Sequence, residues 1–452
     1  MIALVLAACL DPEASRSTAP DPDPTSAPTE VPDPRAAYRP LAEAPDLDPD
    51  PDIVRVALRA APARVDLGGE TVDAWAYEGS VPGPTIRVKR GDRLIVDFTN
   101  DLPAETTIHW HGLKVPYAMD GVTWAAAPVV PGAGFTYDFP LDQPGTFWYH
   151  PHFDSDGQVD RGLYGLVIVE DPSEPRADVE LAWVFDVWGE WSDDPNAQHG
   201  FAPLPGPWRV NGVVDPEVPV PGGSTVRIRA LNASNAGYLQ LDWPGLVQIA
   251  ADQGLFAAAD TLPALLAPGD RAEFELTPGD RALHVETAAW SMAGPSALTG
   301  PIRALTVTPD PPAPPAGGLP WPFSGAGPSA DPGATEIVYV FTGDVHTGIW
   351  LINGEAYPEL TIETLALGTE AVVEVRNLSP SEHPFHLHGL TFEVLSIDGI
   401  PPVHARIEDT INVAIRQTVR LLVAADNPGE WMAHCHLLPH AEDGMMAVLR
   451  VE

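Results

Sequence analysis

The feature that most limits how this chain can fold is a pattern that occurs three times. Gly91 to Asn100, Gly223 to Asn232 and Gly368 to Asn377 each run from a glycine, through alternating apolar residues, to an asparagine nine positions on. In the first copy the apolar positions are Leu94, Val96 and Phe98, the period-two signature of a half-buried strand. Glycine and asparagine suit the turns that bound such a strand. A second marker repeats with it. Pro144-Gly145, Pro278-Gly279 and Pro428-Gly429 are each followed by a histidine six residues after the proline: His150, His284 and His434. Repetition at this interval predicts three similar all-β units, over 51–172, 173–309 and 334–452. The Pro/Gly-rich run from Asp310 to Gly333 reads as the connection between the second and third. The 52 prolines and 39 glycines fit short strands and many turns better than long helices.

Ten of the 14 histidines fall in a few tight groups. His109-Trp110-His111 and His150-Pro151-His152 are H-x-H pairs, and His386 and His388 form a third. The fourth is His434 and His436, with Cys435 between them. Successive side chains of a strand point to opposite faces. Each pair therefore puts two imidazoles on one face, and Cys435 faces away from its two neighbours. His383 sits at an odd offset from His386, which sends it to the opposite side, and His440 and Met445 follow the cysteine. A thiolate, two imidazoles and a weak thioether make the ligand set of a blue-copper site. Eight further imidazoles in four pairs suffice for a three-copper cluster. Zinc does not suit this pattern, because structural zinc sites draw on several cysteines in close pairs. The remaining histidines are His199, His284, His346 and His404. In the middle copy His284 is followed by Glu286 rather than a second histidine, so that unit is expected to hold no metal and to support the other two.

These motifs resemble those of the multicopper oxidases, and of laccases in particular. The resemblance rests on His109-Trp110-His111-Gly112, Trp148-Tyr149-His150-Pro151-His152, His383-Pro384-Phe385-His386-Leu387-His388-Gly389 and the run from His434 to Met446. It covers most of 53–452. It implies three tandem cupredoxin-like Greek-key β-sandwiches and four coppers per chain. His383, Cys435, His440 and Met445 would hold the blue copper. His109 and His386 would hold the mononuclear copper of the cluster. His111, His150 and His436 would hold one copper of the coupled pair, and His152, His388 and His434 the other. Electrons from a small reducing substrate would arrive at an exposed edge of His440, pass Cys435 and reduce dioxygen at the cluster. Asp120 stands at the family's usual acidic position and would supply protons. Some relatives carry a glutamate directly after the last blue-copper histidine, where this chain has Ala441, followed by Glu442 and Asp443.

Composition narrows the partners. With 24 basic against 63 acidic residues the net charge is −39, which leaves no cationic surface for nucleic acid. Only six methionines are present. Oxidases of Cu(I) in this family usually carry soft thioether clusters, so phenols or aromatic amines are the expected substrates. Oxidation of Cu(I), Mn(II) or Fe(II) is the alternative. Copper nitrite reductase fits less well, because those chains usually have two domains and a different cysteine context, and a copper-free envelope scaffold fits less well because every ligand position is kept. Cys9, in Leu6-Ala7-Ala8-Cys9, resembles the processing site of a bacterial lipoprotein signal spanning 1–9. The expectation is an exported, periplasmic or cell-envelope monomer whose sole link to a membrane is a lipid on Cys9. Residues 10–50, rich in Pro, Asp, Ala and Ser, read as a disordered tether.

Overall fold

The asparagine that closes each repeat anchors its unit from within. In the computed structural model, which describes residues 37–189, 207–241, 245–260, 264–290, 301–333 and 335–452, Asn100, Asn232 and Asn377 are fully buried. Asn100 Nδ2 donates to the carbonyls of Ala104 and Val129, and its Oδ1 accepts from Leu102 N. Asn232 makes the same three bonds to Gly237, Leu266 and Ser234. Asn377 makes them to Ser381, Val413 and Ser379. A buried amide is stable only when its donors and acceptor are matched. Each copy therefore uses the side chain to tie a strand end to two loops that would otherwise leave carbonyls unpaired.

Each unit is a sandwich of two sheets. The repeat strands Arg93–Asn100, Val226–Asn232 and Glu370–Asn377 lie parallel to the first long strand of their units, Ile53–Asp66, Val179–Val187 and Ile337–Asp344. In the facing sheet, the second marker opens or precedes Gly145–His150, Leu283–Trp290 and Gly429–Cys435. Each of these runs antiparallel to the last strand of its unit, Gly165–Glu170, Pro301–Pro309 or Met446–Val451. Chain crossings between the sheets give the Greek-key β-sandwich, three times over. Leu94, Val96 and Phe98 turn into the first core as their alternation predicts.

The first and middle units are joined through buried charge. Glu273 is fully buried and meets Arg227 and Arg229, and it accepts from Thr146 Oγ1 of the first unit at 2.7 Å. Arg227 also lies 5.0 Å over the ring of Trp321, whose position is fixed by Glu275, the acceptor of its Nε1. The run 310–333 is thus irregular but pinned to the middle unit.

One expectation needs correction. Residues 37–50, read as part of a tether, are laid along the first and middle units. Tyr38 N donates to Glu217 O and its hydroxyl to Ala182 O, Ala44 N donates to Thr85 O and Leu47 N to Arg55 O. Tyr38, Leu41 and Ala44 each pack against a hydrophobic core. An apolar residue at every third position suits an extended, polyproline-like run, and averaging composition over the segment hid that spacing. Cys9, the signal 1–9 and the stretch 10–36 lie outside the described residues.

Removing Glu273 leaves two buried guanidinium groups without their shared partner. Glu273→Ala is expected to cost about 3–5 kcal/mol, read as a lowered midpoint in reversible denaturant unfolding of the copper-loaded protein.

Candidate metal centre

Strand parity sorts the ligands. Strand His383–Leu387 runs antiparallel to Gly429–Cys435, with His386 opposite His434 and Phe385 opposite Cys435. His383 shares the face of Phe385 and therefore meets Cys435, with its Nδ1 3.3 Å from the sulfur. His386 and His434 point the other way, toward the first unit. There His109 lies opposite His150 in an antiparallel pair, and the four imidazole pairs converge between the first and third units.

Four of the resulting groups bring ligand atoms within 4.8 Å of one another: His109, His111 and His386; His111, His150 and His436; His152, His388 and His434; His383, Cys435 and His440. Their members are buried, His152 the least so at 9% exposed. Burial pushes the imidazoles of His111, His150, His152, His388, His434 and His436 well below their ordinary pKa, and that of His383 down to about 3. Neutral rings are what a metal requires.

Second-nitrogen bonds set which atom faces inward. Nδ1 donates to a backbone carbonyl in His109 (Asp120 O), His150 (Pro151 O), His386 (Asp409 O) and His434 (Cys435 O). That leaves Nε2 with its lone pair aimed at the cluster. In His111 the roles are reversed: Nε2 is 3.0 Å from Thr410 Oγ1 and 3.1 Å from Asp409 Oδ1, and Nδ1 is the free atom. The Nε2 atoms of His109, His150 and His386, and both ring nitrogens of His436, are buried with no partner among the described residues. Each such atom costs roughly 1–3 kcal/mol if left unpaired. Their convergence fits metal ions, and one thiolate among imidazoles fits copper.

Two multicopper-oxidase family profiles match residues 60–174 and 330–452. The chain is 31% identical over 445 residues to the multicopper oxidase MmcO of Mycobacterium tuberculosis, covering 87% of this chain and 86% of that one. A multicopper oxidase of Staphylococcus epidermidis is 30% identical, with 83% of each chain covered. Among solved structures, a Campylobacter jejuni multicopper oxidase described as a metallo-oxidase superposes with a TM-score of 0.80 at 25% identity, over 92% of this chain and 95% of that one.

This chain is a multicopper oxidase.

In this family the ligands serve four coppers, and the oxidase brings together every histidine and the cysteine that the sequence marked. Met445 lies fully buried in the same core as Cys435. Its backbone ties the loop: Met445 N donates to His440 O at 2.9 Å and Cys435 N to Met445 O at 3.2 Å. Met446 pairs with His434 across the sheet and packs with Val122 and Met432 in a separate small core. Burial also raises the Cys435 thiol pKa, so without a cation at the site the thiol keeps its proton. His284, in the middle unit, is exposed, and its Nδ1 is 3.1 Å from Thr306 Oγ1.

The sequence reading missed Asp409 and Arg271. Asp409, fully buried, lies 3.1 Å from His111 and 3.4 Å from His386. Burial would raise its pKa, but the Arg271 guanidinium beside it holds the carboxyl well below the usual range. Arg271 comes from the middle unit, donates to Asp409 of the third at 2.8 Å and to Thr146 O of the first at 3.1 Å. Gly112, at φ +86°, makes room: a Cβ there would strike both Arg271 and Asp409. That is the reason a glycine follows His109-Trp110-His111. The available signal was an aspartate within the apolar alternation of 407–413, since aspartate is seldom buried without a partner.

A second correction concerns His440. Its edge was expected to be open to solvent, yet it is 1% exposed. The indole of Trp350 stacks on it at 4.2 Å between centroids and 24° between planes.

Asp409→Ala should free His111 and His386 to rotate and weaken copper binding at the cluster about 10–100-fold. Copper stoichiometry after dialysis against a chelator checks this. The blue absorption, which arises on the other face of the strand, should survive.

Proposed function

We propose that this multicopper oxidase takes single electrons from small phenols or aromatic amines and couples four such oxidations to the reduction of dioxygen to water. The observation that carries the reading is the shared strand end, where Cys435 of one site is bonded through the chain to His434 and His436 of the other. Copper, when bound, supplies one-electron storage at Cys435 and a place for dioxygen to take up four electrons. The protein does the rest. Burial keeps solvent from the ligands, and the carbonyl bonds to Nδ1 hold the rings in place.

Protons are the other requirement. Asp120 is fully buried, and its Oδ2 lies 2.9 Å from His388 Nδ1. Its Oδ1 lies 3.3 Å from His109 Nδ1, whose own proton goes to the Asp120 carbonyl. Oδ1 is therefore the atom with capacity to hold and pass a proton beside the cluster. Glu442 is committed elsewhere: its Oε1 accepts from Ser155 N at 2.6 Å and also from Ser155 Oγ. It fastens the helix Leu438–Glu442 to the helix Ser155–Asp160.

Organic donors are preferred because Met432 and Met446 are spent in the small core with Val122, leaving them unavailable as a soft-ion relay. A second reading, oxidation of Cu(I), Mn(II) or Fe(II), draws support from the buried His440 and from the metallo-oxidase likeness. Oxygen consumption by copper-loaded enzyme separates the two. A methoxyphenol and an aromatic diamine should be turned over with higher kcat/KM than any of the three ions; turnover of ions alone would reverse the assignment.

Asp120→Asn keeps the size of the side chain and removes its acid. Reoxidation of the fully reduced enzyme by dioxygen should slow by roughly 10²-fold or more, with blue absorbance and copper content unchanged. An unaltered reoxidation rate in stopped flow would leave Asp120 with only its bonds to His109 and His388.

A further inference from the structure

Trp350 lies on the edge strand Ile349–Ile352, opposite Gly343 of Ile337–Asp344. A Cβ at Gly343 would strike its ring, so the indole lies flat over that glycine. The ring stacks on His440 and meets His383 edge-on, with centroids 5.3 Å apart and planes at 70°. Trp350 is itself 1% exposed, and its Nε1 has no partner among the described residues. Tryptophan in a core normally finds a partner for that N–H, and leaving it unpaired is costly. An aliphatic or phenyl side chain would fill space here without that cost. The indole instead lies where it touches both blue-site imidazoles.

We propose that Trp350 is the specificity-determining residue for the reductant: its indole occupies the position against His440 that a donor ring would take. A phenol then never touches the imidazole. It would give one electron across the indole to copper held by Cys435 and its hydroxyl proton to solvent, and the indole would be unchanged. Such an arrangement keeps every donor at least a ring's thickness from the imidazole and slows those that would gain from contact with it. The inference builds on the reading that aromatic donors are substrates.

Trp350→Ala removes the ring and leaves an apolar cavity beside His440, of the kind that binds small aromatic molecules. The test is anaerobic bleaching of the blue band of holoenzyme in stopped flow. With 2,6-dimethoxyphenol the variant should bleach about tenfold faster than wild type, whereas hexaammineruthenium(II), which needs no contact, should change by less than about twofold. Toluene, which cannot be oxidised here, should shift the blue band of Trp350→Ala and leave wild type unaffected. Trp350→Leu keeps the core better filled and should show a smaller gain in the same order of donors, so the test stands if the alanine variant loses copper. Slower or unchanged bleaching by the phenol would overturn the proposal. So would equal acceleration by both donors with a shifted potential, since that places the effect in the copper site itself. If wild type oxidises metal ions but no phenol in air, the substrate reading fails, while the ratio of bleaching rates still decides the role of Trp350.

Discussion

Ten imidazoles buried in one protein interior pose a single problem of physical chemistry: each must stay neutral, point one chosen nitrogen inward, and do so before any metal helps. For several of the rings the fold answers with the atom on the far side. Carbonyls of Asp120, Pro151, Asp409 and Cys435 accept from Nδ1 of four rings, and Thr410 with Asp409 engages Nε2 of His111. Apart from Asp120, which follows the helical turn Tyr117–Met119, those acceptors belong to strand ends and the residues just beyond them, so most of the exactness of the metal centre is inherited from sheet register.

Register in turn rests on the buried asparagines. Asn100 and Asn377 fasten the strand ends of the first and third units to the loops that lead toward the H-x-H pairs, and Asn232 makes the equivalent bonds in the middle unit. The middle unit keeps the clamp and the topology, and it places Arg271 at the seam. Its contribution to the metal centre is a guanidinium that reaches Asp409 on one side and Thr146 on the other.

Much of this was legible in the chain. The threefold pattern gave the three sandwiches, and strand parity set His383 on the face away from His386 and His388, and Cys435 on the face away from His434 and His436. Other parts were hidden for identifiable reasons. Asp409 and Arg271 act across units, at a separation of 138 residues, and no local pattern links them. Tyr38, Leu41 and Ala44 were masked by the prolines and aspartates around them. The burial of His440 depends on Trp350, a residue whose strand gives no hint that its ring will lie on a ligand some ninety positions away.

The two three-histidine groups of the cluster have one further property. His111, His150 and His436 take two members from the first unit and one from the third, and His152, His388 and His434 take one and two. Neither unit can complete a triad by itself. The full ligand set of either group thus exists only where the first and third units meet. A chain whose units have folded but not yet closed together lacks the full ligand sets, and the power to activate dioxygen is withheld until the closed form can contain it.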